Sequence, residues 1–280
     1  MTATPQPAIP ANHNRLGEEV VYRLLVEWPM RRQFSRVWLK IEGALPDPAS
    51  GPVICYMTHP SWWDGYAALL LHRKVFQRSF EGYLMMDERQ LRRYRFFTWL
   101  GVFSVNLTDR REAARSLAYV AGKLAERRDR YLWMFPEGKL TPTERRPLRL
   151  YPGVARIAQQ AGGATLWPVA LRYEFRGEEK PELFIHCGPG HAAPPESSER
   201  DLLAVAHANL THAADSLRDD VTNNQFEGYR LLMRGAAGIN HIADALFAAV
   251  RPRRHSRSGR LPRTAPQGQS APQADTRVRN

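Results

Sequence analysis

Apolar residues along this chain fall into short blocks, and the blocks alternate with amphipathic stretches. Residues 52–57 (PVICYM), 82–86 (GYLMM), 102–106 (VFSVN), 131–135 (YLWMF), 165–171 (TLWPVAL) and 183–187 (LFIHC) are short, apolar and bounded by glycine, proline or charge, which predicts buried strands. Between them, residues 65–72, 88–100, 110–128 and 153–161 repeat their apolar positions at helical spacing. Strands alternating with helices predict an α/β fold: a mostly parallel central sheet flanked by helices. Residues 197–221 and 225–250 read as two closing helices, the first started by a Ser198 and Asp201 cap.

Residues 16–40 form a further unit, expected as an N-terminal amphipathic helix. Val20, Val21, Leu24, Leu25, Trp28, Phe34, Val37 and Trp38 are interleaved with basic side chains from Arg15 to Lys40, and Pro29 offers a kink. Arginine beside tryptophan suits an interface with lipid, and the same pattern suits a helix packed on the domain. The ends differ from this body. Residues 1–14 are rich in proline and alanine, and residues 251–280 combine arginine with polar residues, so both are expected as disordered tails. One domain over residues 15–250 follows, with a motif-bearing core at 50–175 and a helical part at 197–250.

Composition narrows the function. With 43% hydrophobic and 24% charged residues, the 280-residue chain has a globular composition. Its net charge of +12 draws anions such as nucleic acid, acidic lipid or phosphorylated molecules. Eight arginines and one aspartate place +7 of this in the C-terminal tail, leaving +5 elsewhere. Two cysteines, Cys55 and Cys187, are too few for a disulfide framework, and a reducing compartment is the simpler expectation. The first residues lack the basic start and apolar run of a signal peptide, and no apolar stretch reaches the roughly 18 residues of a spanning helix. Membrane contact is therefore expected to be peripheral. No metal site is expected, since Cys187 between His186 and His191 has no second cluster, and His207 and His212 do not share a helix face.

Two motifs carry candidate chemistry. Thr58-His59-Pro60-Ser61-Trp62-Trp63-Asp64 directly follows a predicted strand, the place where open α/β sheets put their active sites. An aspartate five positions beyond a histidine can hold one imidazole nitrogen and leave the other as a base. Ser61 and Asp64 also fit a plain helix cap. Phe135-Pro136-Glu137-Gly138-Lys139 follows another strand: the glycine allows a tight turn, Glu137 offers a carboxylate and Lys139 a cation for a phosphate or oxyanion. Alone, it also fits an ordinary turn.

Together, a histidine, four residues and an aspartate, followed 78 residues later by FPEG, resemble the glycerolipid acyltransferases related to lysophosphatidic acid acyltransferase. Gly101-Val102-Phe103-Ser104-Val105-Asn106 and Trp167-Pro168-Val169-Ala170-Leu171 are similar to two further blocks of that family, and the likeness spans roughly residues 50–175. The resemblance implies a glycerol-3-phosphate acyltransferase-like fold and transfer of an acyl group from acyl-CoA or acyl-carrier protein to a hydroxyl, with no cofactor. It implies His59 as general base and Asp64 as its orienting partner. Substrate contacts would come from Phe135, Pro136, Glu137, Gly138 and Lys139, and from Gly101, Asn106, Arg110, Arg111 and Pro168. The family's Asp-Arg and Thr-Arg pairs, associated with an acceptor phosphate, are here Asn106-Leu107 and Lys139-Leu140. That departure turns attention from lysophosphatidate to another lysophospholipid or a non-phosphate lipid alcohol, and relatives with a similar His-Pro-Ser-Trp-Trp-Asp block suggest a glycosylated carotenoid. The expected setting is the cytoplasmic side of a membrane, bound to anionic lipid. A catalytically weakened lipid-binding relative and a nucleic-acid binder using the arginines and aromatics of residues 89–99 are the rival readings.

Overall fold

The computed structural model describes residues 5–77 and 79–236. Helix α1 (Arg15–Val21) widens into a π-helical stretch, Tyr22–Glu27, and continues as α2 (Trp28–Gln33). Pro29 lies within this continuous run, directly after the π-helical stretch in which the Trp28 N–H reaches back five residues to Arg23. There follow β1 (Arg36–Ile41), β2 (Val53–Met57), α3 (Asp64–Leu71), β3 (Glu81–Asp87), α4 (Glu88–Arg93), β4 (Val102–Val105), α5 (Arg110–Glu126) and β5 (Arg130–Met134). The chain continues through α6 (Gly153–Gln160), β6 (Ala164–Glu174), β7 (Glu182–Cys187), β8 (His191–Ala193), α7 (Glu199–Thr222) and β9 (Arg230–Arg234). One sheet takes all the strands, in the order β4-β3-β5-β2-β6-β7-β1-β9, with β8 beside β6. The pairs β4/β3, β3/β5, β5/β2, β2/β6 and β1/β7 are parallel, while β6/β7, β6/β8 and β1/β9 are antiparallel.

The central strands are apolar throughout because both faces are covered. On β2, Val53, Cys55 and Met57 join the layer formed with Val26, Met30, Leu70 and Phe76, while Ile54 and Tyr56 join Val120, Leu124, Val154 and Ile157. Trp133 on β5 and Trp167 on β6 are both fully buried in the first layer, each contributing on the order of 2–3 kcal/mol of apolar burial. Pro168 occupies an interior position of β6 without breaking the sheet. On that side β8 pairs only as far as Leu166 and β7 begins pairing at Val169, so no acceptor waits for its missing N–H, while its carbonyl accepts the Gly188 N–H (3.0 Å).

Three expectations are corrected. Residues 5–14 do not form a loose tail: Ile9 is buried, its N–H donates to Ser104 Oγ (2.9 Å), and the Ser104 N–H donates to the Ile9 carbonyl (2.9 Å). Asn12 N–H also donates to the Thr98 carbonyl, and the segment lies along the open edge of β4. The amphipathic helix of residues 16–40 stops at Gln33, because Arg36–Ile41 alternates Val37 and Leu39 on one face with Arg36, Trp38 and Lys40 on the other, where Trp38 packs on the cluster of Phe184 and Leu217, and pairs as a strand. Residues 225–236, expected as helix, form a turn and the edge strand β9. The rest of that expected helix and the basic tail lie outside the described residues.

Candidate active site

β2 and β5 are parallel neighbours, so the loops leaving their carboxyl ends emerge side by side. The exit from β2 is fixed first. Thr58 N–H donates to the Val169 carbonyl (3.1 Å), and Thr58 Oγ1 accepts the Leu171 N–H (2.9 Å). The chain then bends through Pro60 and starts α3 at Asp64, which is wholly buried.

Asp64 is the centre of the polar network. Its Oδ2 accepts from the Ser61 N–H (2.8 Å) and lies 2.7 Å from His59 Nδ1, while Oδ1 accepts from the Tyr173 hydroxyl (2.6 Å). The cap contact and the histidine contact are thus made by the same carboxylate oxygen. Burial pushes the Asp64 carboxyl above its ordinary range, opposed by the hydrogen bonds from His59, Tyr173 and Ser61. Burial and the adjoining carboxylate push the Tyr173 phenol well up, so it stays protonated as a donor. The His59 ring stacks on Phe135, centroids 4.2 Å apart and planes at 16°, which holds it flat, and its Nε2 makes no hydrogen bond among the described residues.

The loop after β5 grips the backbone of the same histidine. Glu137, almost fully buried, accepts the His59 N–H through Oε1 (3.1 Å), and Thr141 N–H donates to the His59 carbonyl (2.8 Å). Gly138 adopts φ +65°, a left-handed conformation, and a Cβ there would lie 3.0 Å from Tyr151 and 3.3 Å from Leu107. Pro136 accepts the Tyr151 N–H at its carbonyl (2.8 Å).

The structure therefore gathers His59, Asp64, Phe135, Pro136, Glu137 and Gly138, with Lys139 exposed on the same turn. Asn106 ends β4 on this side of the sheet but turns its Oδ1 onto Thr108, and Arg110 and Arg111 stand exposed at the start of α5. Two expected contacts fail. Gly101 precedes β4 and lies at the opposite end of the sheet, where its φ of +82° lets the chain pass the Gly82 carbonyl. Pro168 is buried within β6 against Gly188 and does not face the opening. Tyr173, which donates to Asp64, is the member of this network that the sequence pattern did not single out. Its signal was the alternation Val169, Leu171, Tyr173 on one face of β6, which carries a hydroxyl to the end of β2. Trp63 packs edge-on against Phe34, leaving Trp62 exposed beside it.

No group of three or more His, Cys, Asp or Glu side chains among the described residues could hold a metal, and both cysteines are free and buried. Among the same residues, no helix is long and apolar enough to cross a membrane.

A histidine and a buried carboxylate at the carboxyl end of a strand, clamped by a Pro-Glu-Gly turn from the neighbouring strand, can carry general acid–base chemistry. Residues 39–172 match the family model described as Acyltransferase, and the protein is an acyltransferase enzyme. The fold is similar to that in the crystal structure of the 1-acyl-sn-glycerophosphate (LPA) acyltransferase, PlsC, from Thermotoga maritima, with a TM-score of 0.52 at 17% identity, covering 74% of this chain and 84% of that one. No curated protein matches the chain.

Proposed function

We propose that this enzyme moves a fatty acyl group from a thioester, acyl-CoA or acyl-carrier protein, to a hydroxyl of a lipid acceptor, with His59 as general base. The observation that carries the reading is the 2.7 Å contact between His59 Nδ1 and the buried Asp64. Because Oδ2 already accepts the Ser61 N–H, it meets Nδ1 as an acceptor, which puts the imidazole proton on Nδ1 and a lone pair on Nε2. Nε2 takes the acceptor hydroxyl's proton as that oxygen attacks the thioester carbonyl. The carbon–sulfur bond then breaks, and the imidazolium returns the proton to the leaving thiolate. Asp64 stabilises the passing positive charge. Tyr173 holds Asp64, and Glu137 positions the backbone of His59.

The partner of the domain is an anionic membrane surface, reached from its cytoplasmic side. Helices α1 and α2 and the π-helical stretch between them bury Val21, Tyr22, Val26 and Met30, yet expose Leu16 (83%), Val20, Leu24 and Trp28 (56%) along another face. Arg32 lies 4.9 Å over the Trp28 ring, giving that face both apolar side chains and cations. Exposed Trp62, three residues from His59, brings apolar surface to the site as well. In the arginine-aromatic stretch of residues 89–99, Phe97 is buried and Trp99 packs on Gly17, while Tyr94 and the arginines stand exposed.

Labelled acyl-CoA and acyl-carrier protein, offered with vesicles and a panel of lipid alcohols, should give an acylated lipid and no acylated protein. A stable acyl-protein on the path, or no transfer from either donor, would count against direct attack. L16E/L24E should weaken flotation with anionic vesicles while leaving turnover on micellar acceptor intact.

A further inference from the structure

Three large apolar side chains stand in solvent around the turn that clamps His59: Leu107 (58% exposed), Leu140 (54%) and Tyr151 (63%). They come from three segments. Leu107 leaves β4, Leu140 follows the Pro-Glu-Gly turn, and Tyr151 precedes α6. Leu107 Cδ1 and Tyr151 Cε2 both close on Gly138, within 3.3 Å and 3.0 Å of where a Cβ would sit. Leu140 adjoins Thr141, which is hydrogen-bonded to the His59 carbonyl. Leaving such side chains in water forgoes on the order of 1.5–3 kcal/mol each, and the core does not use them.

Charge points the same way. A phosphate monoester is held best by paired guanidinium forks, whereas a lone ammonium acts as a single point charge. The turn of residues 136–141 offers only Lys139 as a cation, and its flanking side chains are apolar. A leucine pair and a tyrosine ring instead suit the body of a neutral lipid, with Lys139 left to meet an uncharged oxygen.

We propose that Leu107, Leu140 and Tyr151 form the acceptor subsite, and that the acceptor is a lipid alcohol with no phosphate beside its reacting hydroxyl. This rests on the acyl-transfer reading above and specifies its acceptor. The subsite works by exclusion as much as by attraction, because a phosphate docked here would lose water without gaining paired donors.

The test uses a matched pair of micellar acceptors, monoacylglycerol and lysophosphatidate with the same acyl chain, and acyl-CoA as donor. Wild-type protein should favour the neutral acceptor in kcat/KM by at least about tenfold. L107R/L140R should move that ratio at least about tenfold toward the phosphate, with donor KM and thermal melting unchanged. Preference of the wild type for lysophosphatidate, or loss of both acceptors in equal measure in L107R/L140R, would overturn the assignment. Equilibrium binding of the same two lipids to H59A protein ranks them without turnover. If nothing is acylated but the neutral lipid still binds better, the acyl-transfer reading fails and the subsite stands; the opposite ranking sinks the subsite alone.

Discussion

Replacing Asp64 by asparagine removes one charge and keeps the shape, which makes D64N a sharp probe of the polar network. Two orientations of the new amide compete. With its oxygen in the place of Oδ2, it still accepts from Ser61 N–H and His59 Nδ1–H, held now at 2.8 and 2.7 Å, and its NH₂ faces a Tyr173 hydroxyl that turns to accept. Turned over, the NH₂ would meet the Ser61 N–H donor to donor, and each buried donor left unpaired costs about 1–3 kcal/mol. Ser61 therefore selects the first orientation, and His59 keeps the tautomer with a bare Nε2. What D64N loses is the attraction of a carboxylate for charge arriving on the imidazole. Two unit charges about 4 Å apart near a protein surface attract by about 4 kcal/mol. A half-transferred proton feels about half of that, so kcat/KM for acyl transfer should fall about 30-fold. Nitrogen NMR of the imidazole should show the proton still on Nδ1. A loss near 10⁴-fold, the size expected when an imidazole is held in the wrong tautomer, would refute the part given to Ser61. Wild-type turnover would refute the part given to Asp64.

Four further outcomes follow from the same geometry. Burial raises the Asp64 carboxyl above its ordinary 3.8, so folding binds that proton more tightly; the resulting stability is complete below the ordinary value and is lost as pH rises through the raised one. D64N carries no such loss, so urea melts should show its stability relative to wild type climbing with pH across that window, and a falling difference contradicts the burial account. Y173F deletes one donor to the carboxylate and should move the acid limb of kcat/KM to higher pH, with a small effect above the limb; an unmoved limb rules out a positioning role. G138A combines φ +65° with contacts of 3.0–3.3 Å and should destabilise the fold by about 1–2 kcal/mol, read as a lowered Tm with reduced turnover. I9A should cost about 2–5 kcal/mol in a denaturant melt, and no loss would show that the strap over β4 is not packed in solution.

Much of this architecture was written in local pattern. The fully buried strands β2 and β5 show as unbroken apolar runs, and the two loops that meet at His59 were legible because each directly follows such a run. What escaped depends on distant partners. Ile9 reads as part of a proline-rich tail, since its hydrogen-bond partner Ser104 lies 95 residues away. Tyr173 looked like an ordinary strand residue until the parallel pairing of β6 with β2 brought it to Asp64, 109 residues earlier. The two-residue period of β1 was hidden inside a longer helical pattern, and Gly101 belonged to a motif whose two ends the sheet separates, with Asn106 on the side of the site and Gly101 on the other.

The central claim is that His59 removes the acceptor's proton while the thioester is attacked directly. Single-turnover kinetics of H59A and wild-type protein, with donor binding measured alongside, test it most directly. Acyl transfer in H59A should slow by at least about 10²–10⁴-fold with donor affinity unchanged. Transfer at the wild-type rate would contradict the account.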